Sequence, residues 1–346
     1  MSYEVNMGNY EIRLDANESF LDPGEEYQQE IRNVITRIPL NRYPDDSCTN
    51  LRKAFGSLYG VDPELVMAGN GSDELIGLII GGLMKKGEKL LIFHPDFSMY
   101  SVFASTYDRE LVSIPRREGY LLKPEDMLTE IKKTGAQVVI FSNPASPLSR
   151  VMKREEVQNI VENTDVLVVV DEAYMDFSNQ SILDMAGKYE NLIILKTCSK
   201  ALGCAALRLG FAISSKKMIR DLNDIRSPYN LNSLTQAIGC LILSKPDYIR
   251  RSINAIIQSR DQLYNKLKYL VQNKKINRIF QSETNFIYIE TEYADWIFEE
   301  LKKRSILIRK LDRSLRITAG TKMENERLIA ALEEILNQSD RRGEES

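Results

Sequence analysis

The chain has 346 residues, of which 43% are hydrophobic and 27% charged, a composition typical of a globular protein with one large or two medium domains. Its formal net charge of −3, from 46 basic and 49 acidic residues, favours neither nucleic acid nor an anionic membrane as a partner. No apolar run is long enough to span a bilayer and the N-terminus lacks the pattern of a signal peptide, so we expect a cytoplasmic protein.

The histidine and cysteine counts disfavour several kinds of site. With a single histidine, His94, a serine-hydrolase relay or a multi-histidine metal site is hard to build, and we predict no metal. The four cysteines lack the spacing of a zinc site or a disulfide framework, as expected in a reducing compartment. No Gly-x-Gly-x-x-Gly fingerprint follows a strand, which disfavours a nicotinamide dehydrogenase.

Two polar segments come first along the chain. Residues 14–20, Leu-Asp-Ala-Asn-Glu-Ser-Phe, are predicted to be extended and to run into a turn. Further on, Pro44 forces Tyr43 into an extended conformation, which points the phenol away from the local chain. On the residues alone, a tyrosine packed at a turn is the simpler interpretation. A surface helix is predicted at 51–55, closed by Gly60.

A glycine turn follows at 67–76, Met-Ala-Gly-Asn-Gly-Ser-Asp-Glu-Leu-Ile, and opens a predicted apolar helix. Ser72 or Asp73 is predicted to cap this helix, and the exposed N–H groups of its first turn would form an anion site. Many α/β turns have this pattern, so the signal is weak by itself.

Three apolar runs, 89–93, 137–141 and 166–170, are predicted to be buried strands. The last is mostly β-branched, which is typical of a central strand buried on both faces. Asp171 follows it, at the carboxyl end where ligands bind in open α/β sheets. An aspartate that caps a helix is the alternative, and these residues alone do not decide between the two.

Lys200 lies in a small-residue segment between two further predicted strands, 191–195 and 209–213. Its Ser, Ala, Gly and Cys neighbours offer few partners for its charge. The amine can therefore be partly desolvated, which suits a Schiff-base nucleophile. For an arbitrary lysine, a solvated loop residue is the simpler interpretation.

The last part of the chain is predicted to form a second, smaller domain, entered through a long amphipathic helix at 247–271. Arg309 and Arg316 fall within its apolar strands, where a cation needs an anionic partner. The charged tail at 339–346 is predicted to be disordered. The predicted strands of this domain are 284–289, 306–309 and 315–318.

Together these segments resemble a known family. Thr197-x-Ser199-Lys200, with Arg208 eight residues on, is similar to the cofactor-lysine signature of fold-type-I pyridoxal-phosphate (PLP) aminotransferases. Within them the sequence most resembles histidinol-phosphate aminotransferases, from about Leu14 to Gly320. The resemblance implies an α/β fold with a large domain built on a mostly parallel central sheet and a smaller α+β domain. The expected division is an N-terminal arm (1–40), a large PLP-binding domain (41–245), a small domain (246–338) and a tail (339–346).

The resemblance also implies roles for individual residues. Lys200 would carry PLP, Asp171 would keep the ring nitrogen protonated, Tyr174 would hydrogen-bond the ring oxygen and Phe97 would stack on the ring. The cofactor phosphate would be held by Gly71, Ser72, Asp73, Thr197, Ser199, Arg208 and the partner's Tyr43.

Two positions depart from the family's pattern, and both lie in segments that the resemblance assigns to the site. Ser146 stands where the family has the asparagine that bonds the ring oxygen, and a serine hydroxyl is shorter and offers one donor instead of two. Phe20 stands where the family often has a tyrosine whose hydroxyl can bond a substrate phosphate. By resemblance, Arg316 would bind the anionic end of the substrate, with Arg309 assisting.

The activity implied is transfer of an amino group from histidinol phosphate or an amino acid to a 2-oxo acid such as 2-oxoglutarate, in amino-acid biosynthesis, by a homodimer. A phosphothreonine decarboxylase and a broad aromatic or aliphatic aminotransferase share these motifs and remain alternatives. Some transcription regulators carry an aminotransferase-like domain, but we expect too few residues before the glycine turn for a DNA-binding domain.

Overall fold

The computed structural model describes residues 8–116, 122–271 and 276–343, which form two β-sheets and the helices that cover them. None of the described helices is both long and apolar enough to cross a bilayer. The strands are β1 (Ile12–Leu14), β2 (Val66–Asn70), β3 (Lys89–His94), β4 (Glu110–Pro115), β5 (Val138–Ser142), β6 (Leu167–Asp171), β7 (Leu192–Thr197), β8 (Leu209–Ile213), β9 (Arg278–Ile279), β10 (Phe286–Glu290), β11 (Ile306–Leu311) and β12 (Ser314–Thr318). The α-helices are α1 (Pro23–Glu26), α2 (Gln28–Ile35), α3 (Thr49–Tyr59), α4 (Gly71–Leu78), α5 (Met99–Thr106), α6 (Pro124–Thr134), α7 (Arg154–Glu162), α8 (Lys216–Ile225), α9 (Ser233–Leu243), α10 (Pro246–Val271), α11 (Ala294–Lys303) and α12 (Lys322–Gly343).

The larger sheet has seven strands in the order β2-β8-β7-β6-β5-β3-β4. Strands β4, β3, β5, β6 and β7 are parallel, and β8 is antiparallel to both of its neighbours. The predicted apolar runs form its central strands because helices cover both faces of the sheet and leave no face for polar residues. The predicted α/β fold with a mostly parallel central sheet is confirmed.

The direction of the connections reverses between β3 and β5. From β3 the chain passes through α5 to β4 on one side, whereas β5, on the other side of β3, leads through α7 to β6. Register pairing of β3 with β5 is limited to Leu90↔Val138 and Leu91↔Val139. Such a reversal opens a crevice outside the carboxyl ends of the strands, where α/β proteins bind their ligands.

The smaller sheet has the order β1-β11-β12-β10-β9 and contains the three strands predicted for the second domain. Its edge strand β1 comes from the beginning of the chain and pairs in parallel with β11, Ile12 opposite Ile306. The N-terminal arm is thus attached to the smaller sheet. The division at residues 40, 245 and 338 stays a prediction.

Two local predictions were wrong. Helix α4 begins at Gly71 with Asn70 at its N-cap, so neither Ser72 nor Asp73 occupies the capping position. Helix α12 continues to Gly343, so the predicted disordered tail is helical as far as that residue, and 344–346 lie outside the described residues.

A substitution at Gly210 tests the packing of β8 on the first turn of α4. A Cβ at this position would lie 2.5 Å from Ser72 N and 2.6 Å from Gly71 C, which are rigid backbone atoms. We expect Gly210→Ala to lower the free energy of unfolding by about 1–3 kcal/mol, as overpacking does, measured by denaturant titration.

Gly77→Ala is the matched control. A Cβ at Gly77 would make an ordinary contact, 3.4 Å from Phe103 Cε1, and alanine favours the helix by roughly 0.5–1 kcal/mol. Equal stability of Gly210→Ala and the natural protein would contradict this account of the packing.

Candidate active site

A cavity of about 400 Å³ lies at the carboxyl ends of the strands of the large sheet. Residues of the arm and of the smaller sheet line its other side. This volume is in the range of small-molecule sites. Most of the predicted site residues line it: Ser72, Asp73, Phe97, Ser146, Asp171, Tyr174, Thr197, Ser199, Lys200, Arg208, Arg309 and Arg316.

Asp171 ends β6 and is 4% exposed. Tyr100 Oη donates to its Oδ2 at 2.9 Å and Ala173 N donates to its Oδ1 at 3.0 Å. Burial raises the pKa of Asp171 from 3.8 to about 7, although both hydrogen bonds oppose this rise. A cation beside this carboxylate would therefore stabilise its ionised form.

Lys200 follows β7, and its Nζ donates to the carbonyl oxygen of Ala16 at 2.9 Å. The same Nζ lies 5.9 Å from the centre of the Tyr174 ring. Tyr174 Oη accepts a hydrogen bond from Asn17 Nδ2 at 2.8 Å. The arm thus contacts the lysine and the tyrosine at consecutive residues.

A second group of polar side chains surrounds the start of α4. Gly71 has a φ of +81°, and a Cβ there would lie 2.9 Å from Arg208 Nη2. Arg208 Nη2 donates to Asp73 Oδ2 at 2.9 Å, and Thr197 Oγ1 donates to Ser199 Oγ at 3.0 Å. Guanidinium, hydroxyl and helix N-terminal groups are the donors that bind phosphate in proteins.

The smaller sheet contributes two arginines to the cavity. Arg309 on β11 is directly opposite Arg316 on β12 in the antiparallel register, so both side chains lie on the same face. Arg316 Nη2 donates to the Asp15 carbonyl oxygen at 2.8 Å, and its guanidinium lies 5.4 Å from the centre of the Phe286 ring. This pair gives the cavity a second cationic region.

Phe97 and Ser146 follow β3 and β5, one on each side of the crevice between these strands. The Phe97 ring meets Tyr100 edge-on, with the ring centres 5.5 Å apart. Ser146 is buried, and its backbone N donates to Ser142 Oγ at 2.9 Å.

Gly71, Phe20 and Tyr43 are not among the described residues that line the cavity. Gly71 lies beneath the Arg208 guanidinium. Phe20 packs against the core of the large sheet. Tyr43 is 80% exposed and stacks on Tyr229, with ring centres 4.5 Å apart, so any contact with this cavity requires a second chain.

Sequence reasoning did not single out three residues that line the cavity or bind a residue that lines it. Tyr100 binds Asp171, Asn17 binds Tyr174, and Asp96 lies in the cavity wall. Asp96 had one available signal: a carboxylate directly after a buried strand and a proline. The contacts of Tyr100 and Asn17 span 71 and 157 residues of sequence and leave no local pattern.

A comparison with known families supports this interpretation of the cavity. The sequence model of the family described as aminotransferase class I and II matches residues 5–332. The chain belongs to this family. Its members are PLP-dependent transaminases, and this chain is therefore an enzyme of that class.

Its relatives match over nearly their full length. The chain is 38% identical to the histidinol-phosphate aminotransferase of Clostridium novyi (strain NT) over 332 residues, which cover 94% of this chain and 92% of that protein. It is 35% identical to the histidinol-phosphate aminotransferase of Pyrococcus furiosus, and the match covers 97% of this chain and 96% of that protein.

Solved structures show the same fold. The PLP complex of the Sinorhizobium meliloti histidinol-phosphate aminotransferase superposes with a TM-score of 0.87 at 23% identity, covering 95% of this chain and 91% of that one. The L-threonine-O-3-phosphate decarboxylase of Porphyromonas gingivalis superposes with a TM-score of 0.80 at 20% identity, covering 94% and 99%.

The residues around the cavity fit PLP. The close approach of Arg208 to Gly71 leaves no space for a Cβ at residue 71, and the donors beside it suit a phosphate. The desolvated Asp171 suits a protonated pyridine nitrogen, and Lys200 supplies the amine that the family's cofactor requires.

We expect borohydride reduction of the PLP-loaded protein to leave a pyridoxyl group on Lys200, because among the residues that the structure describes Lys200 is the lysine that lines the cavity. Peptide mapping by mass spectrometry makes the assignment. Lys196 is the internal control, since its Nζ is buried and paired with Asp176 at 2.7 Å. Label on Lys196 or on any other lysine would refute the assignment.

The raised pKa of Asp171 predicts a pH-dependent stability in the cofactor-free protein. The folded state holds a proton that the unfolded state has lost between about pH 4 and pH 7, so stability falls as the pH rises through this range. Asp171→Asn removes the effect, and its stability relative to the natural protein should rise with pH, by up to roughly 4 kcal/mol above pH 7.

Denaturant titrations at about pH 5 and about pH 8 measure this difference. Tyr100→Phe removes a hydrogen bond that lowers the pKa of Asp171, so it should extend the fall in stability to higher pH. A stability difference for Asp171→Asn that is the same at both pH values would contradict the assignment.

Proposed function

We propose that this transaminase moves the amino group of histidinol phosphate to a 2-oxo acid such as 2-oxoglutarate, in the cytoplasm and as part of amino-acid biosynthesis. The observation that carries the proposal is the near full-length similarity to histidinol-phosphate aminotransferases at 35–38% identity. The two cationic regions of the cavity agree with it, because one suits the cofactor phosphate and the other suits an anionic substrate.

Arg309 and Arg316 are the proposed substrate-binding residues. Like charges directly opposite each other on neighbouring strands repel, and an anion bound between them relieves this repulsion. A guanidinium binds phosphate or carboxylate through two parallel hydrogen bonds, which fixes the orientation of the ligand as well as its charge.

The residues of the large sheet have proposed roles in catalysis. PLP, when bound, acts as an electron sink that stabilises the negative charge left when the substrate carbon bearing the amine loses its proton. Lys200 Nζ would take that proton and deliver it to the C4′ carbon of the cofactor, so that the amino group can leave its original carbon. Asp171 holds a proton on the ring nitrogen, and Tyr174 Oη donates to the ring oxygen. Phe97 would stack on the face of the cofactor ring and so orient it.

Phosphate anchoring is the proposed role of the donors around α4. Arg208, Ser72, Thr197 and Ser199 would bind the cofactor phosphate, with the backbone of Gly71 and Asp73. Arg208 forms an ion pair with Asp73, with Nη2 and Oδ2 2.9 Å apart. A bound phosphate competes with Asp73 for the same guanidinium.

We also infer a homodimer. Leu40 is 86% exposed and Tyr43 is 80% exposed in the single chain, and the stacked Tyr43–Tyr229 pair adds a rigid aromatic surface. A second copy of the chain would cover this surface and bring the partner's Tyr43 to the cofactor phosphate.

A panel of amine donors tests the substrate. Purified PLP-loaded protein is mixed with 2-oxoglutarate and, in turn, histidinol phosphate, histidinol, phenylalanine and phosphothreonine, and both glutamate and carbon dioxide are measured. Glutamate formed preferentially with histidinol phosphate supports the proposal. Preference for phenylalanine indicates an aromatic aminotransferase, and carbon dioxide from phosphothreonine indicates a decarboxylase.

Arg316→Lys should weaken the binding of the amine donor far more than the binding of PLP. The lysine keeps the charge but loses the planar fork, so kcat/KM for the donor should fall, by roughly tens- to thousands-fold for a loss of 2–5 kcal/mol. PLP affinity should barely change, because Arg208 and α4 hold the phosphate. If PLP affinity collapses while donor affinity holds, Arg316 is not the substrate residue.

The homodimer is tested by sedimentation velocity. We expect an interface on the order of 2,000 Å² or more, and Leu40→Asp should disrupt it by placing a charge in an apolar contact. Tyr43→Phe, which keeps the ring and removes the hydroxyl, should leave the dimer intact and weaken PLP binding. A monomeric natural protein with full PLP affinity would refute the role of Tyr43.

A further inference from the structure

Asp96 lies at the crevice where the large sheet is split. Strand β3 stays in register with β4 up to His94↔Pro115, and β5 stays in register with β6 up to Ser142↔Asp171. Register pairing of β3 with β5 covers only the residues at 90–91 and 138–139. Beyond that point, Asp96 after β3 and Ser142 at the end of β5 connect the two sides.

The Asp96 carboxylate accepts four hydrogen bonds from three segments. Its Oδ1 accepts from Phe97 N at 2.8 Å and from Ser142 Oγ in a short contact. Its Oδ2 accepts from Arg116 Nη2 at 2.7 Å and from Ser142 N at 3.2 Å. Arg116 follows β4, and its Nε donates to the Phe93 carbonyl oxygen at 3.3 Å. One carboxylate therefore ties together the ends of β3, β4 and β5.

The carboxylate is fully occupied by these partners. The side chain of Asp96 is 1% exposed, and that of Arg116 is 4% exposed. Each carboxylate oxygen accepts two hydrogen bonds, and the Arg116 guanidinium forms an ion pair with the carboxylate. Asp96 is thus poorly placed to move a proton, although it lines the cavity. Its contacts are those of a residue that holds others in place.

Two cavity residues depend on Asp96. Phe97 is held through its backbone N, and Ser146 is held through Ser142, whose Oγ donates to Asp96 and accepts from Ser146 N at 2.9 Å. Ser146 offers only a short hydroxyl side chain. A short hydroxyl reaches its target only from a fixed backbone position, so this loop needs a firm anchor.

We propose that Asp96 is a positioning residue for the cofactor ring: it clamps the crevice so that Phe97 on one side and Ser146 on the other keep their places. This inference rests on the proposed function, because the ring that Phe97 and Ser146 would contact is the ring of PLP. Asp96 itself is placed with neither the proposed phosphate donors nor the two proposed substrate arginines.

The test uses Asp96→Asn and Ser142→Ala. The first puts an amide NH₂ against the Arg116 and Ser142 donors, and the second breaks the link to Ser146 while it keeps the Arg116 and Phe97 contacts. Apoprotein of each variant is titrated with PLP by fluorescence, and the visible absorption band of the loaded protein is recorded against pH. Thermal unfolding of each apoprotein is measured in parallel.

Asn191→Ala is the control. Asn191 precedes β7, and its Nδ2 donates to the carbonyl oxygens of Val161 in α7 and of Thr164 in the loop before β6, at 3.1 and 2.8 Å. These contacts lie at the amino ends of the strands, opposite the end that carries the cavity. Their loss should lower thermal stability and leave the PLP titration and the absorption band unchanged.

We expect both test variants to weaken PLP affinity by roughly 10–100-fold, the range seen when a residue that orients a bound group is removed at metal sites, and to shift the band or its pH midpoint. Unchanged affinity and an unchanged band in both variants would overturn the inference, as would an equal loss in Asn191→Ala. A natural protein that binds no PLP would instead refute the proposed function.

Discussion

The desolvated carboxylate of Asp171 is the constraint on which the arrangement of the cavity depends. It ends a strand of apolar residues in the middle of the large sheet, so the neighbouring backbone supplies little charge to balance it. Tyr100 and the Ala173 backbone each provide one hydrogen bond, and the pKa of the group still rises to about 7. A cation beside Asp171 would therefore stabilise its ionised form, and the proposed ring nitrogen of the cofactor would supply one.

Much of the fold was predictable because its signal is local. Strands buried on both faces consist of uninterrupted apolar residues, and β8 has the predicted bounds at Leu209–Ile213. The residues that end such strands converge at one edge of a parallel sheet, which is why Asp171 and Lys200, each after a predicted strand, line one cavity. Their assignment to PLP came from the resemblance to a family, since strand and turn patterns alone allowed other interpretations.

The rest of the site was not predictable because its contacts are long-range. No spacing in the sequence indicates that Asn17 reaches Tyr174, or that Asp96 gathers donors from three strand ends. The wrong tail prediction has a similar cause. The charges after residue 338 suggested a disordered segment, but Leu328, Leu332 and Ile335 bury one side of α12 in the core and keep the helix in place.

The arm described above also constrains the order in which the molecule can be assembled. Residues 12–17 are synthesised early, yet β1 pairs with β11, and Asn17 N donates to Thr318 Oγ1 across 301 residues of sequence. On the ribosome β1 has no partner strand until β11 has emerged, and closing so long a loop is among the slow steps of folding. Since Ala16 and Asn17 contact Lys200 and Tyr174, the cavity acquires its final walls only after that closure. A nascent chain could therefore complete the core of the large sheet well before it can enclose a ligand.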